Sequence, residues 1–180
     1  IKSRVYALNI SACYNYMGEA MRKQKKLEQA INYYQKAIKI CESNHCSCNA
    51  IIYTNMGRCW IAMGRKAEGR KAIFMAEEVY NESFTLIGRS INKGCASIFE
   101  AEDGNKERAA ALLKEAEKSA GQFASPYVLG ILNLHKAYLK RKFPEMFREI
   151  LNQDERQYRE KARACLDNIP GGYSTEEIQD

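Results

Sequence analysis

The sequence is poor in the residues that interrupt helices and in histidine, the commonest metal ligand. It has 3 Pro and 2 His in 180 residues. So little proline permits long helices, because proline inside a helix removes a hydrogen bond and clashes with the preceding turn. No apolar run approaches the roughly 18 residues that a membrane-spanning helix needs, and no secretory segment opens the chain. Because Ile1 already lies in a helical pattern and is not Met, we expect a piece of a longer protein.

The usual marks of an enzyme or of a cofactor-binding protein are also missing from the sequence. GRKAEGRK (64–71) has two glycines and several cations, but it lacks the Gly-Lys-Ser/Thr ending of a phosphate-binding loop. His135 lies in a helical segment, and no Ser and Asp can be placed beside it to form a catalytic triad. We therefore predict a non-catalytic protein with no cofactor and no metal.

Charge and cysteine content favour a reduced cytoplasmic protein. The net charge of +6 permits an acidic partner without demanding nucleic acid. The 7 cysteines are an odd number and lack the spacing of a disulfide framework, while Cys13, Cys59 and Cys95 lie on apolar helical faces. We therefore expect buried, reduced thiols and a cytoplasmic location.

The sequence does contain an internal repeat. Segments that begin at Tyr14, Tyr53 and Lys93 align without gaps at steps of 39 and 40 residues. Apolar residues recur at helical spacing in each segment, and each segment breaks once, at RKQKK, MGRK or EDGNK, where Gly64 and Gly104 are suited to end a helix. Each unit is therefore predicted to be a helix, a tight turn and a second helix. Small residues recur where the two helices would cross, at Gly18, Gly57 and Ser97 in the first helices and at Ala30, Gly69, Ala109, Ala37, Ala76 and Ala116 in the second.

The first segment, YNYMGEAMRKQKKLEQAINYYQKAIKI (14–40), resembles a tetratricopeptide repeat. That family has an aromatic residue, Leu-Gly, a second aromatic residue, Ala, a third aromatic residue and Ala. The matching residues here are Tyr14, Met17, Gly18, Met21, Ala30, Tyr34 and Ala37, then Tyr53, Met56, Gly57, Trp60, Gly69, Ile73 and Ala76 in the second copy. The third copy departs from the pattern at Lys93 and Glu100.

The resemblance covers roughly residues 4–123 and implies an all-α fold, a right-handed α-solenoid of about four antiparallel helix pairs. The period of 39 to 40 residues exceeds the usual period of about 34. Longer periods are similar to those of kinesin-light-chain-like repeats and of the sensor domains of peptide-responsive Gram-positive regulators. These arrays bind peptides or proteins and are not enzymes.

We predict one helical domain over residues 1–168 and a flexible tail over 169–180. Its units span about 4–42, 49–82, 84–120 and 126–166, and the last unit is degenerate and caps the array. Ser125 and Pro126 are suited to begin the fourth unit, as N-cap and first-turn residues. Residues 145–169 are predicted to form one long, polar helix.

The stretch CESNHCSCN (41–49) concentrates three cysteines and a histidine, and this pattern allows three interpretations. A zinc site would need Cys41, His45, Cys46 and Cys48 to converge from one short loop, whereas structural sites usually take ligand pairs from separate elements. A reactive thiol pair of Cys46 and Cys48 is the second interpretation. The register favours the third, a spacer between two units, in which Asn44 helps to end one helix and Asn49 caps the next.

The resemblance implies that an extended peptide or a partner helix binds the concave surface lined by the first helix of each unit. Asn15 and Asn55 are the preferred candidates, because an amide side chain can both donate to and accept from a peptide backbone. Arg22 and Arg58 could bind a carboxylate. The candidate groove residues are Asn15, Glu19, Arg22, Asn55, Arg58, Ile98 and Tyr138.

A second candidate surface is the edge formed by the turns inside the units. Three of the four turns are strongly basic, so an acidic partner could dock there, or the edge could simply be a solvated rim. The candidate residues of this basic edge are Lys25, Lys26, Arg65, Lys66, Arg141 and Lys142.

The sequence thus predicts a peptide- or protein-binding module that acts through its concave groove, as the sensor or interaction part of a larger transcriptional regulator. The alternative is a structural scaffold that docks an acidic partner through the basic edge. Neither hypothesis requires direct contact with nucleic acid or a membrane, and both are compatible with a homodimer.

Overall fold

The computed structural model describes residues 2–45, 49–80, 86–122, 125–167 and 169. Over these residues every regular element is an α-helix, and the helices pack in consecutive pairs, which confirms the all-α prediction and the four helix pairs. The helices are α1 (Lys2–Lys23), α2 (Leu27–Ser43), α3 (Asn49–Ala62), α4 (Lys66–Tyr80), α5 (Leu86–Glu102), α6 (Lys106–Gly121), α7 (Pro126–Lys142) and α8 (Glu155–Leu166). We call α1, α3, α5 and α7 the first helices.

The chain divides into two compact units, Ile1–Phe84 and Thr85–Asp180. In unit 1, α1 pairs with α2, α3 pairs with α4, and α2 packs against α3. In unit 2, α5 pairs with α6, α7 pairs with α8, and α5 and α6 pack against α7. The prediction of one domain over residues 1–168 stays a prediction. Of the predicted tail, residues 170–180 lie outside the described part of the chain.

Each unit has its own apolar core, built from the small and large residues of the repeat. Unit 1 buries Tyr34 and Tyr80 among alanines and isoleucines of α2, α3 and α4. Unit 2 buries Leu113, Leu134 and Phe147 in the same way. Burial of large apolar side chains stabilises each unit by roughly 25 cal/mol per Å² of area removed from water.

The turn inside each of the first three pairs places one residue in the left-handed region at the same register. These residues are Lys25 (φ 59°), Gly64 (φ 76°) and Gly104 (φ 80°). In each turn this residue donates its N–H to the carbonyl three residues back, and the next residue donates to the carbonyl five residues back. This pair of bonds satisfies the last carbonyls of the first helix. The prediction that Gly64 and Gly104 end helices is confirmed, and Lys25 adopts the same conformation with a side chain.

The recurring small residues lie where the two helices of a pair touch. A Cβ added at Gly18 would lie 2.4 Å from a ring carbon of Tyr34, and one added at Gly57 would lie 3.1 Å from the carbonyl oxygen of Gly69. At the third register position, Ser97 donates its hydroxyl to the Ala109 carbonyl at 2.7 Å. The packing reason inferred from the repeat is therefore confirmed.

The prediction of one long helix over residues 145–169 is wrong. Turns follow α7, and α8 begins only at Glu155 because Asp154 caps it. The Asp154 side chain accepts from the Gln157 N–H at 2.8 Å, and the Gln157 side chain accepts from the Asp154 N–H at 3.0 Å. This reciprocal capping box satisfies two orphan donors and fixes the helix start. At the other predicted start, Ser125 and Pro126 hold the N-cap and first positions of α7, but the Ser125 side chain makes no capping bond.

The stretch 41–49 joins α2 to α3. Asn44 ends α2, since it takes the C-cap position and its Nδ2 donates to the Ile40 carbonyl at 2.9 Å. Asn49 is the first residue of α3. Cys46 and Cys48 lie outside the described residues, so the spacer interpretation stays a prediction.

The expectation that the cysteines are buried, reduced thiols is wrong at two positions. Cys41 is buried but takes part in a disulfide. Cys13 carries a free thiol that is exposed, because nothing described packs on its side of α1. The thiols of Cys59 and Cys95 are free and buried, as expected.

Among the described residues, no helix combines the length and the apolar character needed to cross a bilayer.

Candidate functional site: the facing first helices of each unit

In unit 1 the two first helices meet through two asparagines. Asn55 of α3 donates its Nδ2 to Oδ1 of Asn15 in α1 at 3.2 Å. Asn15 is half-buried and Asn55 is only 7% exposed. The structure therefore brings together the two amides that the sequence singled out as separate ligand contacts. The bond uses one donor of Asn55 and one lone pair of Asn15, and the amide of Asn15 has two further N–H donors.

Beside the amide pair, Glu19 is the centre of a charged network. Arg22 binds the Glu19 carboxylate through two bonds, Nε to Oε1 at 3.0 Å and Nη2 to Oε2 at 2.9 Å. Tyr34 of α2 donates its hydroxyl to Glu19 Oε1 at 2.6 Å. A bidentate, charge-assisted pair of this kind is stronger than a neutral hydrogen bond and fixes both side chains.

The network sets the ionisation of its members. Burial raises the pKa of Glu19, but the bonds and charge of Arg22, the charge of Arg58 and the Tyr34 hydroxyl outweigh burial and hold that pKa at about 2. Burial raises the pKa of Tyr34, and the neighbouring Glu19 carboxylate raises it further. Glu19 is therefore ionised and Tyr34 is a neutral donor across the physiological range.

The two arginines of the predicted site have different environments. Arg22 is 7% exposed and its guanidinium is paired with Glu19. Its N–H donors therefore form part of the side of the groove and do not point toward a ligand. Arg58 is half-buried, and its charge acts on Glu19 from the neighbouring first helix. The carboxylate-binding role of Arg22 and Arg58 stays a prediction.

In unit 2 the corresponding surface is mostly apolar. Ile98 packs against the core of the unit, and Tyr138 donates its hydroxyl to Glu102 Oε1 at 3.1 Å. Where unit 1 has its amide pair, the ring of His135 lies directly over Gly94. The Nε2 atom of His135 lies 3.5 Å from the sulfur of Cys95.

Unit 2 also contains a buried cation that the sequence argument missed. Lys93 replaces the aromatic residue of the first two copies, and it is only 4% exposed. Its ammonium group pairs with Glu115 of α6 at 2.6 Å, which holds the pKa of Glu115 below its usual value. The signal was available, because a charge at a core register requires a partner on the facing helix.

A second feature missed from the sequence is a serine that ties the two helices of a pair together. Ser11 donates its hydroxyl to the Ala37 carbonyl at 3.0 Å, and Ser90 donates to the Ala116 carbonyl at 2.8 Å. Ala50 holds this register in the second pair and is buried without a hydroxyl. Ala37 and Ala116, whose carbonyls accept these bonds, occupy equivalent positions of the sequence repeat.

The basic edge of unit 1 is partly neutralised. Lys25, Lys26 and Lys66 are exposed. Arg65 donates Nε to Glu68 Oε1 at 2.8 Å, and its guanidinium lies 4.0 Å from the centroid of the Trp60 ring. The pairing with Glu68 partly neutralises the charge of Arg65, which stays exposed at the edge.

The basic edge of unit 2 also has an arginine close to an acidic side chain. Lys142 is exposed. Arg141 is half-buried, with its Nε 3.9 Å from Glu155 of α8 and its guanidinium 5.8 Å from the Tyr138 ring. Arg65 is thus hydrogen-bonded to an acidic neighbour in unit 1, whereas Arg141 only lies near one in unit 2.

The tetratricopeptide repeat family model matches residues 11–44. The matched residues cover α1 from Ser11 onward and all of α2, and they include Asn15, Glu19, Arg22 and Tyr34. Neither the curated proteins nor the solved structures compared with this chain include a match.

Proposed function

We propose that this chain, whose residues 11–44 match the tetratricopeptide repeat family model, is a non-catalytic module that binds an extended peptide segment along its first helices. Tetratricopeptide repeats generally mediate interactions between proteins. The binding surface of unit 1 is formed by Asn15, Asn55 and Arg58, and Glu19 and Arg22 form its wall. Ile98 and Tyr138 contribute an apolar surface in unit 2.

The observation that supports this proposal is the amide pair across α1 and α3. Asn55 orients Asn15 through their shared bond, so Asn15 presents its N–H donors in a fixed direction. A ligand then does not have to order that side chain, which costs about 0.5–1.5 kcal/mol for each immobilised side chain. An amide donor at this place recognises a peptide carbonyl whatever the side chains of the peptide.

The Glu19 network adds rigidity and charge selection. Because Glu19 is paired with Arg22 and Tyr34, it does not compete for the donors of an incoming peptide. Arg58 then supplies the positive charge of the groove and favours a peptide with a carboxylate near the site, either an acidic side chain or a C-terminus.

We further propose that the module is the sensor or interaction part of a larger, cytoplasmic regulator of transcription. The long repeat period supports this role, because peptide-responsive regulators have similar periods. Any contact with nucleic acid then belongs to another part of that protein, and this module binds the peptide.

A peptide-library screen with the purified chain, followed by calorimetry on the selected peptides, tests the proposal. Asn15→Ala should weaken binding about tenfold, because a lost hydrogen bond to a fixed donor costs about 1.4 kcal/mol. The matched control is Asn133→Ala in α7, whose side chain donates to its own helix at Leu129 and should not matter. Unchanged affinity in Asn15→Ala, with unfolding temperatures also unchanged, would contradict the proposal.

The alternative function, a scaffold that docks an acidic partner, is tested by the same peptides. Lys25→Glu and Lys26→Glu together reverse the charge of the exposed basic edge in unit 1. We expect the selected peptides to keep their affinity within about threefold, since neither lysine belongs to the proposed groove and only weak long-range electrostatics would change. Loss of binding in this variant but not in Asn15→Ala would favour the scaffold.

A further inference from the structure

One side of helix α1 is exposed, although the equivalent sides of α3 and α7 are buried. Equivalent residues of the repeat are 39 positions apart between α1 and α3 (52 − 13 = 39) and 80 positions apart between α3 and α7 (132 − 52 = 80). On α3 and α7 the residues of this side are buried, being Ile52, Asn55 and Cys59, then Leu132, His135 and Leu139. On α1 the equivalent residues Cys13, Tyr16 and Ala20 are exposed, and Met17 is exposed where Met56 and Lys136 are half-buried.

The covering of α3 and α7 comes from the preceding helix pair of their own unit. α2 packs against α3 in unit 1, and α5 and α6 pack against α7 in unit 2. No described helix of unit 1 covers this side of α1, although the side has the composition of a packing surface. Tyr16 is 71% exposed, Tyr6 is 69% exposed, and Val5 is 53% exposed. Large apolar residues clustered on one helix side indicate an interaction surface.

We propose that the open side of α1 is the interface of a twofold-symmetric dimer, in which α1 of a second copy of this chain packs antiparallel across it. The first reason is charge. Residues 5–18 contain no Asp, Glu, Lys, Arg or His. A symmetric contact through this run therefore buries no charge against its own copy, as the cores of protein interfaces require.

The second reason is the order of side-chain sizes along α1. Small residues, Ala12 and Cys13, lie halfway between Val5 and Ala20, and the large Tyr6 and Met17 lie on either side of them. A twofold axis near Cys13 would bring the small residues of both copies together and place Tyr6 of one copy beside the small Ala20 of the other (13 + 13 − 6 = 20). Small residues at a helix crossing allow the two backbones to approach closely.

The third reason is that the other end of the chain does not offer a complementary surface. The outward residues of α8 are polar, and the side chains of Arg156 and Glu160 are 86% and 58% exposed. Head-to-tail stacking of copies would desolvate these charges. Pairing of two α1 helices avoids that cost and leaves α8 in solvent as a cap.

The contact is small, which sets the expected affinity. The side from Val5 to Ala20 is about 24 Å long, at 1.5 Å per residue. A single helix side of this length buries less than the roughly 800 Å² per partner of a standard interface. The dimer should therefore form and dissociate with concentration, with a dissociation constant on the order of micromolar.

Sedimentation of the intact chain from about 1 to 300 μM tests the proposal, and we expect a monomer–dimer equilibrium over that range. The Tyr16→Glu/Met17→Glu variant should remain monomeric throughout, with unchanged circular dichroism and unfolding temperature, because both residues are exposed. The matched control is Ile150→Glu, an equally drastic change at an exposed apolar residue of unit 2, which should leave the equilibrium unchanged.

Cross-linking at Cys13 tests the symmetry. A short bis-maleimide should join two copies of the wild-type chain, and Cys13→Ser should abolish that product. Three results would overturn the proposal. These are a monomer at every concentration, a dimer that survives the Tyr16→Glu/Met17→Glu change, and a dimer that Cys13 does not cross-link. A protein that stays monomeric alone, but whose Cys13 becomes protected by a different partner, would assign the surface to that partner instead.

Discussion

Unit 1 and unit 2 use equivalent positions of their first helices for different chemistry. Asn15 and Asn55 share a hydrogen bond in unit 1, and the same register positions in unit 2 hold Gly94 and His135 (94 − 15 = 79 and 135 − 55 = 80). The adjacent pair is Glu19 and Arg58 in unit 1 and Ile98 and Tyr138 in unit 2. One pair of helices thus meets through amides and ions, and the other through a ring, a glycine and apolar side chains.

This difference shows which part of the repeat is constrained by the fold. The small residues at the crossing of each pair keep their size, because the backbones touch there. The residues that face the neighbouring first helix differ in polarity between the two units, because each of them only has to match the residue it contacts on that helix. Ligand specificity is therefore expected to reside in these facing positions.

The largest expected effect comes from filling the space that glycine leaves in unit 2. A Cβ added at Gly94 would lie 2.1 Å from Nδ1 of His135, whose ring is buried. Gly94→Ala should destabilise the protein by about 2–3 kcal/mol, measured by chemical unfolding, because a buried ring has little room to move. Gly121→Ala is the control, since nothing lies within 4 Å of its added Cβ.

The equivalence of positions 94 and 135 to positions 15 and 55 can be tested by introducing the two asparagines of unit 1 into unit 2. The double variant Gly94→Asn/His135→Asn replaces His135, and the glycine on which its ring packs, by the asparagines of unit 1. The double variant should be more stable than Gly94→Asn alone. Equal instability of the two variants would mean that the positions are not equivalent.

A smaller effect is expected from acid, through a group that unit 1 has and unit 2 lacks at this register. The pKa of Glu19 is lowered from 4.5 to about 2 in the folded chain. A lowered folded-state pKa gives stability that is present above the unfolded value and is lost as pH falls toward 2. Thermal unfolding at pH 7 and pH 3 should show this loss in the wild type.

Glu19→Gln should show a smaller loss of stability between pH 7 and pH 3, and it should already be less stable at pH 7 by about 1.5–3 kcal/mol, since Arg22 then loses its carboxylate. Glu160→Gln, in an exposed pair with Arg156, should change stability by less than about 1 kcal/mol. If Glu19→Gln loses as much stability in acid as the wild type, the lowered pKa of Glu19 is not the cause.

The smallest expected effect concerns the turns. Lys25 has φ 59° where the next two pairs have glycine. Lys25→Gly should stabilise unit 1 by up to about 1 kcal/mol, because a left-handed non-glycine residue costs about 1–2 kcal/mol and glycine loses more chain entropy on folding. Gly64→Ala should destabilise by a similar amount. Opposite signs in the two experiments are the expected result, and equal signs would contradict the shared turn geometry.

Much of the fold could be predicted from the sequence because it repeats. The glycines of MGRK and EDGNK predicted two turns correctly, and the small residues predicted the helix crossings. Lys25 could not be predicted to be left-handed from its residue type, since only its register indicates it. The start of α8 could have been predicted, because Asp154 and Gln157 have the spacing of a capping box.

The candidate site was less predictable, since it depends on how neighbouring helices are offset. The sequence selected Asn15 and Asn55 by register, but it did not show that they would bond to each other across helices. Arg22 lies three residues after Glu19, a spacing at which opposite charges pair on a helix, so its engagement could have been predicted. The pairing of His135 with Gly94 required the three-dimensional arrangement.

The most direct test of the account is calorimetry with a selected peptide and its backbone-methylated derivatives. If the amide of Asn15 binds the peptide main chain, disrupting one main-chain contact by N-methylation should weaken binding about tenfold or more, and alanine at the flanking side chains should matter little. The same methylation should not weaken peptide binding to the Asn15→Ala variant any further. Binding that is insensitive to methylation at every position but depends on single side chains would contradict backbone recognition by the first helices.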